Sequence, residues 1–212
     1  MKKLYNILII SVIYLILCGK SCVNDSERTA WQEKEVSAAK DSIRGEFESE
    51  HLTEEARYAA EVKAIQELSD LADYVEIYSD NSLDSLFREK AGEMIRGLFI
   101  SEDASLSFGE VRNRKMKSTT VGEFVEKGFG EDINQAKLVF DSIRVLEPLQ
   151  KSGEETYSGR LAANQCIIKY ISTDSIISPP TDVTIEFISS RQVKRIGQDT
   201  LKVWEVLLGD MD

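Results

Sequence analysis

The sequence predicts an α+β protein in which helices pack on a curved antiparallel β-sheet, and three observations support this fold class. Residues 53–100 space apolar side chains three and four residues apart, as helices with one buried face do. Residues 101–212 change to a period of two and are rich in Val, Ile, Tyr, Phe and Thr, as strands are. No helix-length insert divides the last four segments, so antiparallel hairpins are expected.

Two helices open the predicted domain. Thr53 can cap the first helix, and Glu54 and Glu55 then lie in its first turn, where the helix dipole favours negative charge. The segment Asp80–Asp84 separates the two helices. We interpret it as a loop and N-cap, because it lacks the Gly and the final Glu that a calcium loop requires.

The second predicted helix carries the strongest helical pattern in the chain. Its apolar positions are separated by three, four or one residues between Leu83 and Phe99. We expect Leu86, Ile95 and Leu98 to form one buried face that packs against the sheet.

The remaining elements follow from alternation and capping. Ala104–Phe108 alternates as a strand does, and Thr120 with Glu123 forms a capping box that opens a short helix ending near Lys127. Four long strands are expected at residues 135–148, 156–172, 182–189 and 199–208. The alternation changes phase near Asp141–Ser142 and near Ala162–Ala163, which predicts two bulges and a bent sheet.

This order of elements resembles the nuclear transport factor two-like fold, in which helices and a strongly curved sheet form a cone. The resemblance covers about residues 53–210 and depends on Leu83–Phe99 followed by Ala104–Phe108, and on long final strands that end in Val203–Val206. Members of this superfamily include isomerases, dehydratases, scaffolds and dimerisation modules. The resemblance therefore implies a fold and leaves the activity open.

The first 22 residues have the pattern of a secretory signal peptide. Lys2 and Lys3 precede a nearly unbroken apolar run over residues 4–17, and small residues and cysteines follow. The run is shorter than the ~20 residues of a membrane-spanning helix, which favours a cleaved signal over an uncleaved anchor. Cysteine at the exit resembles a bacterial lipoprotein signal. We predict three regions: a signal peptide (1–22), an acidic, partly helical or disordered tether (23–52) and the α+β domain (53–212).

Lipidation is assigned to Cys22, with Cys18 as the second choice. Cys22 follows the small residue Ser21, whereas Cys18 follows Leu17. Acylation of this cysteine, by palmitate among other chains, would hold the mature protein to a membrane of the cell envelope, on the periplasmic face or at the cell surface.

The charge of the mature chain argues against nucleic acid as a partner. The full chain has a net charge of −11. Loss of the signal removes three basic residues and no acidic ones, which takes the charge to −14. A strongly acidic surface repels phosphate backbones. The expected partners are the membrane, through the lipid, and a protein or a second copy of this chain.

Several common chemistries lack the residues they need. His51, the single histidine, precedes the first helix and would be exposed, so histidine-assisted nucleophilic catalysis is not expected. Beyond Cys22 the chain has one cysteine, Cys166, which lies in a strand-like apolar run and is interpreted as a buried, inert thiol. Zinc sites of the usual type are excluded, and no metal or cofactor is expected.

The resemblance implies one enzymatic alternative. In isomerase relatives, an apolar cone holds one carboxylate and one or two tyrosines, and such a carboxylate can transfer a proton. Asp141 is the candidate acid, because alternation places it inward, and Tyr74, Tyr78, Tyr170 and Trp204 are candidates to line the cone. The competing interpretation places Asp141 at a bulge and the aromatic residues in the core.

The sequence thus favours a membrane-anchored envelope lipoprotein that serves as a non-catalytic binding or assembly module. The alternative is a small-molecule enzyme of the isomerase or dehydratase type. A recurring Asp-Ser/Thr-aliphatic motif also resembles an O-glycosylation acceptor of some Gram-negative envelope proteins, and Ser42 in the tether is the most accessible copy. Ordinary turn and cap chemistry explains the motif equally well.

Overall fold

The computed structural model describes residues 51–109, 116–130, 133–172, 174–196 and 199–212. In these ranges the chain forms three helices and seven strands, which confirms the α+β class. The elements are α1 (Glu54–Ser79), α2 (Ser85–Leu98), β1 (Ser105–Gly109), β2 (Met116–Thr120), α3 (Val121–Lys127), β3 (Gln135–Lys151), β4 (Thr156–Ile171), β5 (Asp174–Ile177), β6 (Thr181–Ile196) and β7 (Asp199–Met211).

Side-chain caps fix the start of each helix. Thr53 Oγ1 accepts a hydrogen bond from the Ala56 amide at 3.2 Å, and Thr120 Oγ1 accepts one from Glu123 at 3.2 Å. The Asp84 carboxylate accepts the Leu86 amide at 2.8 Å, so the segment before α2 is the predicted loop and N-cap. Each cap satisfies an amide that has no partner within its helix.

The sheet is mixed, with strand order β2-β1-β7-β6-β4-β3, and β5 pairs with the end of β4. All pairings are antiparallel except that of β1 with β7, where Leu106 lies opposite Met211. The four long strands are confirmed. The short strands β2 and β5 were missed, because β2 is largely polar and β5 has four residues, all exposed.

One of the two predicted bulges is present. The register of β3 against β4 shifts between Asp141 and Arg144, and Ser142 has φ +53°. The predicted phase change at Ala162–Ala163 is wrong. Buried residues alternate through this part of β4, which pairs with β6 without a shift. Ala162 and Ala163 lie on opposite faces, and alanine is small enough for either.

Helix α1 lies along β3 and joins it at both ends. Glu61 Oε1 accepts the Leu149 amide at 2.9 Å, and near the other end Ser79 Oγ accepts the Ala136 amide at 2.8 Å. Helix α2 packs on α1 and α3. The prediction that α2 buries Leu86 against the sheet is therefore wrong, since Leu86 is 69% exposed, although Ile95 and Leu98 are buried.

The space between α1 and the concave face of the sheet is filled with apolar side chains. Leu68, Leu71 and Val75 of α1 are completely buried, as are Ile185 and Phe187 of β6. Leu52, just before the helix cap, also belongs to this core. Side chains of α1 and β6 thus occupy the concave face.

Candidate functional site

The candidate acid Asp141 does not face the interior. Its side chain is exposed, and one carboxylate oxygen accepts the amide of the next residue, Ser142, at 2.7 Å. Leu138 and Phe140 face the core, so regular alternation along β3 places Asp141 on the outward face, where the bulge begins. An Asp141 at a bulge is the alternative that the sequence left open. The expectation of an inward carboxylate is therefore wrong.

The four candidate aromatic residues do not surround one cavity. Tyr74 packs against the core from α1, and Trp204 makes an edge contact with Tyr157, with ring centroids 5.5 Å apart. Tyr170 is 37% exposed and lies thirteen residues beyond Tyr157 on β4, about 40 Å along the strand. Tyr78 is the member of this group that lines a cleft.

That cleft lies at the end of α1, between α2 and α3, and has a volume of about 720 Å³. We call it the helical cleft; Tyr78, Arg88, Gly92, Arg96, Val125 and Phe129 are among its lining residues. It is separate from the filled concave face of the sheet. Tyr78 connects two of its walls, because its hydroxyl donates to the Val125 carbonyl at 2.6 Å.

The floor of the helical cleft is aromatic. Tyr78 and Phe129 each contact Phe124, at centroid distances of 5.7 and 5.0 Å, and Phe108 completes the cluster. Gly92 allows α2 to approach this floor, since a Cβ there would lie 2.9 Å from Val125 Cγ1 and 3.4 Å from the Tyr78 ring. The close contact fixes the width of the cleft.

Two arginines of α2, Arg88 and Arg96, lie two turns apart on the helix and place positive charge beside this aromatic floor. Arg88 Nη1 donates to Asn81 Oδ1 at 2.9 Å, and Arg96 Nε lies 3.3 Å from Glu102 Oε1. Both Nε atoms are buried and have no hydrogen-bond partner in the described part of the chain. The Arg96–Glu102 contact is therefore an ionic approach without hydrogen-bond geometry.

The pKa of Tyr78 depends on its burial and on the two arginines of the helical cleft. Burial raises the pKa of its hydroxyl above the usual 10.0, because the phenolate would lose hydration. Arg96 and Arg88 oppose this effect and lower the pKa. Both guanidinium groups therefore lie close enough to Tyr78 to favour a negative charge beside it.

The glutamates of the helical cleft lie at its rim. Glu93 is 61% exposed and pairs with Lys90, which lowers the pKa of Glu93. Lys127 is bound by Glu123 at 3.0 Å, and this contact raises the pKa of Lys127. These two exposed pairs interact weakly in water, and the other lining glutamates, Glu89 and Glu126, are also exposed.

Other candidate residues lie away from the helical cleft. His51 is exposed, and the Cys166 thiol is half-buried and free of disulfides, with the Ser178 carbonyl 3.3 Å from Sγ. Across the described ranges, no three His, Cys, Asp or Glu side chains are grouped as metal ligands. Among the helices described, none has the length and apolar character needed to cross a membrane. Cys22, Cys18 and Ser42 fall outside the described residues.

Sequence reasoning missed most of the helical cleft. Arg88 and Arg96 are eight residues apart, which places them two turns apart on α2. That spacing was a signal, but it is common on exposed helices. Phe129 follows α3 and comes near the arginines only because α3 packs on α2 and contacts Tyr78 of α1.

No model of a protein family matches the chain, and no curated protein matches it either. Among solved structures, the chain is similar to that of a putative scytalone dehydratase from Novosphingobium aromaticivorans, with 13% identity and a TM-score of 0.34. The similarity covers 74% of this chain and 89% of that one.

Proposed function

We propose that this protein is a lipid-anchored protein of the bacterial cell envelope that acts as a non-catalytic binding module through its helical cleft. The observation that carries the binding role is the contrast between a filled concave face and an open cleft with an aromatic floor. Pockets that combine an apolar floor with a few polar groups are the usual form of ligand sites.

Enzymatic proton transfer is the less favoured alternative. It needs a carboxylate in an apolar cavity, which raises the pKa of the acid. Asp141 instead lies at the surface, hydrogen-bonded to its neighbouring amide. The glutamates of the helical cleft are at its rim, so they lack the apolar surroundings that proton transfer requires.

Anchoring is proposed from the signal-like start of the chain. We expect Cys22→Ala to prevent incorporation of labelled fatty acid and to leave an uncleaved precursor, because the acylated thiol would be missing. Labelling in cells followed by gel analysis measures both effects. Cys18→Ala is the matched control and should label normally. Normal labelling of Cys22→Ala with loss in Cys18→Ala would assign the lipid to the other cysteine.

Binding at the helical cleft can be tested without knowledge of the ligand. A chemically mixed fragment library is screened against the full-length protein in detergent by saturation-transfer NMR. We expect some fragments to give a saturation-transfer signal with the wild-type protein that is lost with Glu89→Trp. Glu89 lines the helical cleft, and an indole there would occupy it. Glu55→Trp, in the first turn of α1, is the matched control. Hits insensitive to Glu89→Trp, or no hits, would contradict the proposal.

A further inference from the structure

The placement of the Arg88 and Arg96 guanidinium groups is not explained by a contribution to folding. Each carries a buried Nε without a hydrogen-bond partner among the described residues, and an unsatisfied buried donor costs about 1–3 kcal/mol. In the described part of the chain, Arg88 is hydrogen-bonded to a neutral amide, that of Asn81. A guanidinium with donors to spare, facing a cleft, is suited to an oxyanion.

The aromatic floor beside these arginines indicates what kind of group the rest of the ligand carries. Tyr78 and Phe129 line the helical cleft together with Arg88 and Arg96. The Tyr78 hydroxyl is already committed to the Val125 carbonyl, so the ring surface is what Tyr78 offers to a ligand. A flat or aliphatic group would replace water on this surface.

We propose that the helical cleft binds a small carboxylate ligand with an aromatic or aliphatic body, its carboxylate at Arg88 and Arg96 and its body on Tyr78 and Phe129. This inference rests on the proposed binding function and names the ligand class. A cationic ligand fits less well on the aromatic floor, because Arg88 and Arg96 act on Tyr78 there, whereas the lining glutamates Glu89, Glu93 and Glu126 are exposed to water.

The test uses the full-length protein in detergent and three probes observed by NMR. They are 4-fluorobenzoate, 4-fluorobenzyl alcohol as its neutral counterpart, and inorganic phosphate as an anion without a body. We expect 4-fluorobenzoate to bind at least tenfold more tightly than the alcohol, and phosphate to displace it weakly. The protein-free detergent gives the baseline for both fluorinated probes.

Variants locate the carboxylate. Arg88→Gln and Arg96→Gln should each weaken 4-fluorobenzoate binding about tenfold or more, since each removes a charge-assisted hydrogen bond. Arg88→Lys should retain part of the affinity. Arg160→Gln is the matched control: Arg160 is 54% exposed and pairs with Glu147 of β3, so binding should not change. Thermal unfolding of each variant verifies that it is folded.

Each remaining outcome overturns the inference. If 4-fluorobenzoate and 4-fluorobenzyl alcohol bind equally, the carboxylate is not recognised. If inorganic phosphate binds as tightly as 4-fluorobenzoate, the aromatic body of the ligand is not recognised. Unchanged benzoate affinity in both arginine variants would place the anion elsewhere. If library fragments still bind in a manner sensitive to Glu89→Trp, the proposed function survives and the carboxylate class alone is wrong.

Discussion

At the scale of single residues, burial decides what a leucine on α2 contributes. Leu98 is 6% exposed and lies in the core, whereas Leu86 on the same helix is 69% exposed. Truncation of a buried leucine removes its transfer free energy and leaves a cavity. The two positions therefore provide a matched pair with the same helix and the same side chain.

We expect Leu98→Ala to lower the free energy of unfolding by about 2–5 kcal/mol. Leu86→Ala should change it by less than about 0.5 kcal/mol, as at other exposed sites. Urea denaturation followed by circular dichroism measures both. A loss at Leu86 as large as that at Leu98 would mean that α2 buries its other face.

The ionisation of Tyr78 is a second property of one residue. Burial raises the pKa of Tyr78, and the positive charges of Arg96 and Arg88 partly offset this by lowering the pKa. Removal of one arginine charge should therefore raise the pKa further. We expect this upward shift in Arg88→Gln and not in Arg160→Gln, by NMR titration of ¹³Cζ-labelled tyrosine. An unchanged or lower pKa in Arg88→Gln would place that guanidinium away from Tyr78.

The same raised pKa has a consequence for stability. Below the ordinary tyrosine pKa of 10.0 the folded and unfolded states are both protonated at Tyr78, so its contribution is fully present. As pH rises above that value, the unfolded chain ionises first and stability is lost until Tyr78 also ionises in the folded state. The loss of stability above pH 10 should therefore be smaller in Tyr78→Phe.

At the scale of elements, the bulge in β3 both bends the strand and redirects its side chains. Ser142 adopts φ +53°, a conformation that L-residues other than Asn and Asp rarely adopt, and the register shifts between Asp141 and Arg144. The strand continues to pair with β4 on both sides of this point. Leu138 and Phe140 face the core before the bulge, and Ile143 and Val145 face it afterwards, so the bulge changes which positions point inward. Asp141 is exposed because it precedes this change and lies on the outward face.

The bulge predicts a reversal of the usual strand preferences. Ser142→Val should lower the free energy of unfolding by about 1–3 kcal/mol, because a β-branched side chain is strained at positive φ. Ser142→Gly should be the more stable of the two. Ser158 of β4 pairs in regular register with Ile188 of β6, so there the order of stability should be opposite, with Ser158→Val more stable than Ser158→Gly. Thermal unfolding of the four variants decides this, and the same order at both positions would exclude the bulge.

At the scale of the whole molecule, the sequence revealed those features that repeat along the chain. Regular spacing identified α1, α2 and the long strands, and local hydrogen bonding identified the caps at Thr53 and Thr120. The short strand β5 has too few residues to show a period. The helical cleft combines Tyr78, Arg88 and Phe129 from separate segments, so its existence depends on tertiary packing that no local pattern encodes.

Curvature of the sheet brings β1 against β4, although the two strands are not neighbours in the strand order. Gln165 of β4, 1% exposed, makes this connection. Its Oε1 accepts the Gly109 amide at 3.1 Å, and its Nε2 donates to the Ser107 carbonyl at 3.1 Å. A single buried amide therefore satisfies two backbone groups of β1 and holds the curved sheet closed over its core.

Loss of this amide should weaken the whole domain. Gln165→Leu keeps a side chain of similar size but leaves the Gly109 amide and the Ser107 carbonyl unpaired, at about 1–3 kcal/mol each. We expect the free energy of unfolding to fall by about 2–5 kcal/mol and hydrogen exchange at Gly109 to accelerate. Asn164→Leu, on the opposite face of β4, is the control and should change neither. Unaltered exchange at Gly109 in Gln165→Leu would mean that apolar packing, and not the Gln165 amide, joins β1 to β4.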